Sequence, residues 1–192
     1  CEEERPYTTI GATLVFETEE LKLLSRTMSD APLSESRYCA FHPTKPFFFV
    51  NHEHSAHGKM MVSAFHYTED GKLTPINKVD CLPEGASADC GQGFCISNDG
   101  KYLYNLLNGY NAVAVLRIDQ ETGKISVVQH ITVEGTHPRI CALSPDGRFL
   151  ITTCLGGEIA VYRVGDDGRL TRTEHSAHLR GSAYITFLDP HK

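Results

Sequence analysis

Residues 136–150 read THPRICALSPDGRFL: a turn, a short apolar run, a Pro-Asp-Gly turn and a second apolar run. An Asp-Gly pair supplies the backbone freedom that the tight turn of a β-hairpin requires. The apolar runs on either side have the length of β-strands. The stretch therefore predicts a hairpin, and Arg139 lies just ahead of its first strand.

The same pattern occurs twice more in the chain. Residues 94–103 read FCISNDGKYL, and residues 37–48 read RYCAFHPTKPFF. Each copy continues with an alternating strand, a second glycine turn and a further strand. Repeats with a period of about 50 residues indicate a fold built from identical supersecondary units. The equivalent positions before the first turn are His42, Ser97 and Ser144.

Four short strands per unit predict an all-β fold, a β-propeller of four-stranded antiparallel blades. A β-sandwich is the competing all-β fold, but a sandwich has no reason to repeat its turn chemistry in register. The chain contains no tryptophan, which excludes the WD-type propeller. We expect one domain over residues 1–192, with about three and a half to four blades: 1–36 (partial), 37–90, 91–137 and 138–182, and a closing strand at 183–188.

The partial first blade is predicted from two strands, residues 13–16 and 21–24, with residues 7–10 as a third candidate. An open half-ring exposes strand edges and apolar faces. We therefore expect self-association, or a partner that supplies the missing blades.

Composition excludes several classes of function. The net charge is −6 and no basic stripe occurs, which argues against a nucleic-acid partner. No apolar run approaches the roughly 18 residues of a membrane span. The seven cysteines are odd in number, and three of them fall on the repeated inner strand. Such cysteines are typical of small buried side chains in a reducing compartment, so we expect a cytoplasmic protein.

The succession of Pro-Arg, inner strand and SPDGRFL, followed by IAVYRV and DGRL, resembles the lactonase-type seven-bladed propellers. That family includes the bacterial propeller form of 6-phosphogluconolactonase, and the carboxymuconate cyclases are its fungal relatives. The resemblance covers about residues 12–190 and matches the C-terminal half of the family. It implies hydrolysis of a sugar lactone such as 6-phosphogluconolactone, without a cofactor. Muconate lactonisation and a non-catalytic binding platform are the alternatives.

Arginine is the first candidate for substrate binding. Arg37 and Arg139 occupy the same repeat position, and Gln92 is their counterpart in the middle unit. Two guanidinium groups facing one channel suit an anionic lactone or carboxylate, which arginine binds bidentately. The resemblance adds that the family places channel arginines at this motif. Family members often carry a basic residue near residues 87–92, where this chain has Asp89 and no arginine.

The segment Asn51-His52-Glu53 supplies the candidate catalytic groups. The family commonly has Asn-Glu at this point, with the glutamate facing the channel, so either Glu53 or His52 takes that position here. Such a group could activate water against a lactone carbonyl. With Arg139, these are the expected catalytic residues, and Arg37, Gln92 and His137 are the expected substrate-binding residues.

A metal site in residues 51–57 is the alternative use of the same loop. Its three histidines and one glutamate could ligate zinc, but His-x-His in a loop is not a recognised zinc pattern. The family's bacterial lactonases are not generally described as needing a metal. We therefore expect none.

Overall fold

A computed structural model describes residues 12–16, 19–20, 22–28, 36–52 and 59–187. These residues form strands and turns, and no helix among them could cross a membrane. The strands are β1 (Ala12–Phe16), β2 (Leu23–Met28), β3 (Ser36–Phe41), β4 (Phe47–His52), β5 (Met61–Tyr67), β6 (Leu73–Asp80), β7 (Cys90–Ile96), β8 (Tyr102–Asn108), β9 (Ala112–Ile118), β10 (Ile125–Thr132), β11 (Pro138–Leu143), β12 (Phe149–Cys154), β13 (Glu158–Val164) and β14 (Leu170–His178).

Twelve of these strands form three four-stranded antiparallel sheets, in which each strand pairs with the next one along the chain. We call them blade 1 (β3–β6), blade 2 (β7–β10) and blade 3 (β11–β14). Strands β1 and β2 form a separate antiparallel pair ahead of blade 1. The predicted propeller of four-stranded antiparallel blades is therefore confirmed. Strand β2 spans Leu23–Met28, whereas the strand predicted there covers residues 21–24.

The C-terminal end differs from the expected closing strand at residues 183–188. Residues 182–187 follow β14 without regular secondary structure, and residue 188 lies outside the described part of the chain. A strand forms only where a neighbouring edge offers hydrogen-bond partners. No described strand pairs with this segment, so its backbone makes no ladder of hydrogen bonds. The candidate strand at residues 7–10 also lies outside the described residues.

The repeated turns are closed by a side chain as well as by glycine. In blade 3, Ser144 Oγ donates to Asp146 Oδ1 (2.6 Å) and accepts from the main-chain N–H of Phe149 (3.0 Å). Gly147 follows with a φ of 71°, a conformation that glycine adopts at no steric cost. The same serine-aspartate-glycine turn joins β7 to β8 in blade 2.

Blade 1 makes this turn with histidine instead of serine. His42 is 4% exposed, and its Nδ1 accepts hydrogen bonds from the main-chain N–H groups of Thr44 (3.2 Å) and Lys45 (3.1 Å). These two bonds require an unprotonated Nδ1. The imidazole therefore closes the turn in its neutral form.

The core lies between the blades and not within them. Ala114 and Leu116 of β9 pack in a cluster with side chains of blade 1. Val113 and Val115, which alternate with them, pack in a second cluster with blade 3. Successive side chains of a strand point to opposite faces, so the continuous apolar sequence of β9 places both faces of blade 2 in contact with a neighbour.

The first strands of the blades lie side by side, and Gly93 permits their close approach. A Cβ atom at Gly93 would lie 2.5 Å from the main-chain nitrogen of Cys141 and 2.6 Å from Cα of Ile140. Both atoms belong to the backbone of β11, so neither can move without shifting the strand. Blades 2 and 3 therefore meet at backbone contact distance.

We expect Gly93→Ala to destabilise the protein by roughly 1–3 kcal/mol, because the new methyl group would overpack this contact. Urea unfolding followed by circular dichroism measures the change. Gly165→Ala is the matched control, since its Cβ would meet an aspartate side chain at 3.0 Å and no backbone atom closer than 3.5 Å. Equal stability of the two variants would contradict the proposed constraint.

His42 should make stability depend on pH. Burial lowers the pKa of His42 below its usual value of 6.5, so the unfolded chain binds more protons than the folded protein as pH falls below 6.5. The free energy of unfolding should then decrease in that range. His42→Ser, which restores the residue of the other two turns, should reduce this loss between pH 7.5 and 5.5. The control is His175→Ser, at an exposed histidine; parallel pH profiles for all three proteins would exclude this role.

Candidate functional site

Arg37, Gln92 and Arg139 occupy matching places in the three blades. Each lies five positions before the first residue of its turn, His42, Ser97 or Ser144 (42 − 37 = 97 − 92 = 144 − 139 = 5). At the same place the pairing of the first strand with the second is interrupted, between Ser36 and Cys39, between Gly91 and Phe94, and between Pro138 and Ile140. Such β-bulges redirect side chains and occur often at the rims of barrels and beside active sites.

Arg139 is half-buried, and among the described residues none forms a hydrogen bond or an ion pair with its guanidinium group. This sets it apart from Arg148 and Arg169, which pair with aspartates in two turns of blade 3. Both turns lie at the end of the blade away from Arg139. A half-buried guanidinium with unused N–H donors is suited to an anionic group. Arg139 is therefore the described arginine whose surroundings best suit substrate binding.

Arg37 is half-buried at the corresponding place in blade 1. The carbon of its guanidinium group lies 5.4 Å from the centre of the neighbouring Tyr38 ring. A cation over an aromatic face at this distance is held by the ring quadrupole. Tyr38 therefore helps to orient Arg37.

Gln92 lies inside the protein, with only 1% of its surface exposed. Its Nε2 donates to the sulfur of Cys90 at 2.9 Å, and Asn108 Nδ2 donates to the same sulfur at 3.3 Å. The side-chain oxygens of Gln92 and Asn108 have no hydrogen-bond partner among the described residues. In this structure the middle position is thus filled by a packed amide, and Gln92 does not reach the surface as Arg37 and Arg139 do.

Asn51 joins the first strands of blades 1 and 2. Its Oδ1 accepts from the main-chain N–H of Tyr38 (2.9 Å), and its Nδ2 donates to the carbonyl of Gln92 (2.8 Å) and to Asn105 Oδ1 (3.0 Å). Asn51 is fully buried, so these bonds replace its contacts with water. Sequence reasoning did not assign it this role; the signal was a single amide at the end of the apolar run FFFV.

His52 and Asn51 point to opposite faces of blade 1. The His52 ring is 3% exposed and its Nε2 lies 2.9 Å from Ser63 Oγ of the neighbouring strand β5. By strand alternation His52 shares the face of Phe48 and Val50, which belong to a separate apolar cluster. The structure therefore places His52 away from the side of the sheet on which Asn51 meets Gln92.

Glu53 lies outside the described residues, as do the two other histidines of the loop, His54 and His57. In the sequence this loop connects β4 to β5. This connection contains residues 53–60, whereas the corresponding connections in the other blades are residues 109–111 and 155–157. Blade 1 thus carries the longest of these three connections, at the end of the blades where Arg37 and Arg139 lie.

His137 is exposed at the same end of blade 3 and has a φ of 55°. Positive φ is uncommon for a residue other than glycine. The carbonyl of His137 accepts a hydrogen bond from the main-chain N–H of Leu155 (3.1 Å), which links this loop to the turn after β12. This hydrogen bond ties the backbone of His137, two positions ahead of Arg139, to the turn that follows β12.

Metal binding finds no support in the part of the chain that the structure describes. No three histidine, cysteine, aspartate or glutamate side chains come together there in a group that could hold an ion. The predicted alternative, a site in residues 51–57, depends on side chains outside that part.

Comparison with known proteins gives a consistent result. The family model "Lactonase, 7-bladed beta-propeller" matches residues 14–187. The 6-phosphogluconolactonase of Bacillus subtilis is 28% identical over 168 residues, which cover 85% of this chain and 47% of that protein. A crystal structure from Bacteroides fragilis is 26% identical, with a TM-score of 0.74 over 83% of this chain and 43% of the other. The periplasmic gluconolactonase of Pseudomonas aeruginosa shares the fold, with 23% identity and a TM-score of 0.77 over 86% of this chain and 45% of the other.

The chain spans about half the length of these relatives. The match includes all three complete blades, and with them strands β3 and β11, which carry Arg37 and Arg139. By its repeated blades, and by a family match over nearly all of its length, this chain belongs to the lactonase family of seven-bladed β-propellers.

Proposed function

We propose that this chain forms part of a lactone hydrolase that acts on a sugar lactone such as 6-phosphogluconolactone. The observation that carries the proposal is the half-buried Arg139, whose guanidinium group has no partner among the described residues. It lies at a β-bulge that recurs at Arg37 in blade 1. Membership of the lactonase family supports lactone hydrolysis as the reaction.

In the proposed mechanism Arg139 binds the anionic group of the substrate through paired N–H donors, and Arg37 assists. A general base takes a proton from water as the water oxygen attacks the lactone carbonyl. The bond between the carbonyl carbon and the ring oxygen then breaks, and the ring oxygen takes up a proton. One lactone and one water thus give one hydroxy acid.

Glu53 is the better candidate for the general base. His52 is buried, and its Nε2 lies within hydrogen-bond distance of Ser63 on the face away from Gln92. Glu53 follows it in the sequence, at the start of the connection between β4 and β5. The proposal therefore assigns water activation to Glu53 and a supporting structural role to His52.

Arg139→Ala should lower kcat/KM for the hydrolysis of 6-phosphogluconolactone roughly 10- to 100-fold, because a charged hydrogen-bonding partner is lost. Arg139→Lys should retain part of the activity, since lysine keeps the charge but not the planar fork. Glu53→Gln in the same assay should lose about 100-fold or more, the usual contribution of a general base.

The matched control is Arg163→Ala, which removes an exposed arginine that stacks on Phe149 near the opposite end of blade 3. It should leave kcat/KM unchanged. Turnover of a muconate but of no lactone would replace the proposal with ring-forming chemistry. Turnover of neither substrate class by a folded protein would favour a binding platform.

We further propose that other blades cover the outer face of blade 3, supplied by a second copy or by a partner. Ile159 and Val161 of β13 are only half-buried, whereas the equivalent Val113 and Val115 of blade 2 are 0% exposed. In blade 2 these positions are buried because the next blade, blade 3, packs against them. Apolar positions of this kind favour association.

Ile159→Lys should therefore disrupt assembly, because a charge would enter the apolar contact. Light scattering measures the solution mass of the wild-type chain and of this variant. The control, Thr171→Lys, lies on the exposed edge strand β14. A wild-type chain that is monomeric and binds no partner would contradict the proposed contact.

The free thiols bear on the cellular compartment of the protein. All six cysteines of the described residues are free. We propose a reducing, cytoplasmic compartment, in which such thiols persist. Fractionation of cells that express the full-length protein tests this, and recovery outside the cytoplasm would contradict it.

A further inference from the structure

Two cysteines from different blades meet in the core. Cys95 lies on β7 of blade 2 and Cys141 on β11 of blade 3, and their sulfur atoms are 3.8 Å apart. Cys141 is 4% exposed, whereas Cys95 is half-buried. No other pair of cysteine sulfurs is in contact among the described residues. The pair is therefore a specific juxtaposition among the six free thiols of the described residues.

The backbone of the two strands explains why these sulfurs meet. Gly93, two residues before Cys95, lets β7 approach the backbone of Ile140 and Cys141 to contact distance. A disulfide requires Cα atoms about 4.4–6.8 Å apart, a spacing that only closely packed segments provide. The same approach that packs blades 2 and 3 together thus brings the thiols within range of each other.

We propose that Cys95 and Cys141 are a redox-reactive dithiol, which closes to a disulfide between blades 2 and 3 on exposure to a small-molecule disulfide such as oxidised glutathione. The sulfur atoms must approach from 3.8 Å to about 2.05 Å. Rotation of the two side chains supplies this movement, because the main chains are already packed together.

The reaction is a thiol–disulfide exchange in two steps. Cys95, which is the more exposed, loses its proton, and its thiolate attacks one sulfur of glutathione disulfide and releases one glutathione thiolate, which takes up a proton. Cys141 then loses its proton and attacks the Cys95 sulfur, and the second glutathione leaves as a thiol. Two protein thiols are oxidised, and one small-molecule disulfide is reduced to two thiols.

The order of attack follows from the surroundings of the two thiols. The neighbouring Cys95 thiol and burial raise the pKa of Cys141 well above its usual value. The thiolate is the nucleophile, so Cys141 is the poorer first attacker and acts second. Closure should accordingly be faster at alkaline pH. The cross-link would join the two strands that carry Gln92 and Arg139.

The experiment uses the full chain, treated with oxidised glutathione and then with iodoacetamide to block the remaining thiols. Intact mass measured before alkylation should show the loss of two hydrogens, and peptide mapping after alkylation should recover a fragment in which Cys95 is linked to Cys141. The melting temperature should rise by roughly 5–10 °C, because the cross-link restricts the unfolded chain. Dithiothreitol should reverse both changes.

Cys95→Ser and Cys141→Ser should each abolish the loss of two hydrogens. Cys39→Ser is the matched control, because Cys39 holds the position of Cys141 in blade 1 but is exposed and has no sulfur neighbour among the described residues. It should behave as the wild type. A stable glutathione adduct on Cys95 without closure, or a disulfide between other cysteines, would overturn the proposal. The peptide map of the wild-type protein distinguishes these outcomes even if Cys141→Ser fails to fold.

Discussion

Burial of apolar side chains between neighbouring blades is the constraint on which the rest of this structure depends. A four-stranded sheet with apolar side chains on each face is stable only when a neighbour covers both. Blade 2 meets this requirement: Val113, Ala114, Val115 and Leu116 are each 0% exposed, and they alternate between two interblade clusters. The blades must therefore stack around a common centre, which brings their first strands together.

The choice of side chains near the first strands follows from the close approach of these strands. Where the first strands meet, side-chain volume is limited, and glycine at position 93 allows the backbones to touch. Polar groups at the same depth must find partners inside the protein. Asn51 satisfies three of them, one within blade 1 and two across the gap in blade 2. The strand pairing is interrupted by bulges at Arg37 and Arg139, and both arginines are half-buried there.

Residues at equivalent positions of the repeat have different structural roles. Arg37 and Arg139 keep a guanidinium group near the surface, whereas Gln92 is folded inward onto the sulfur of Cys90. The turn position shows the same divergence, since His42 replaces the serines of the other blades and closes its turn through the ring nitrogen. The repeated fold thus sets the backbone position of each side chain, while the residues packed around it determine its conformation.

The sequence alone determined the four-stranded units, their turns and the equivalence of Arg37, Gln92 and Arg139, because turn chemistry and strand alternation are local properties that repeat visibly. It also indicated the lactonase family. Only the tertiary structure decided that Gln92 is buried, that His52 faces away from Asn51, and that Cys95 meets Cys141. The contacts of His52 with Ser63, of Asn51 with Gln92 and of Cys95 with Cys141 join residues 11, 41 and 46 positions apart in the chain. The spacing of residues in the sequence does not predict such contacts, because they form between residues of separate strands only after those strands have packed together.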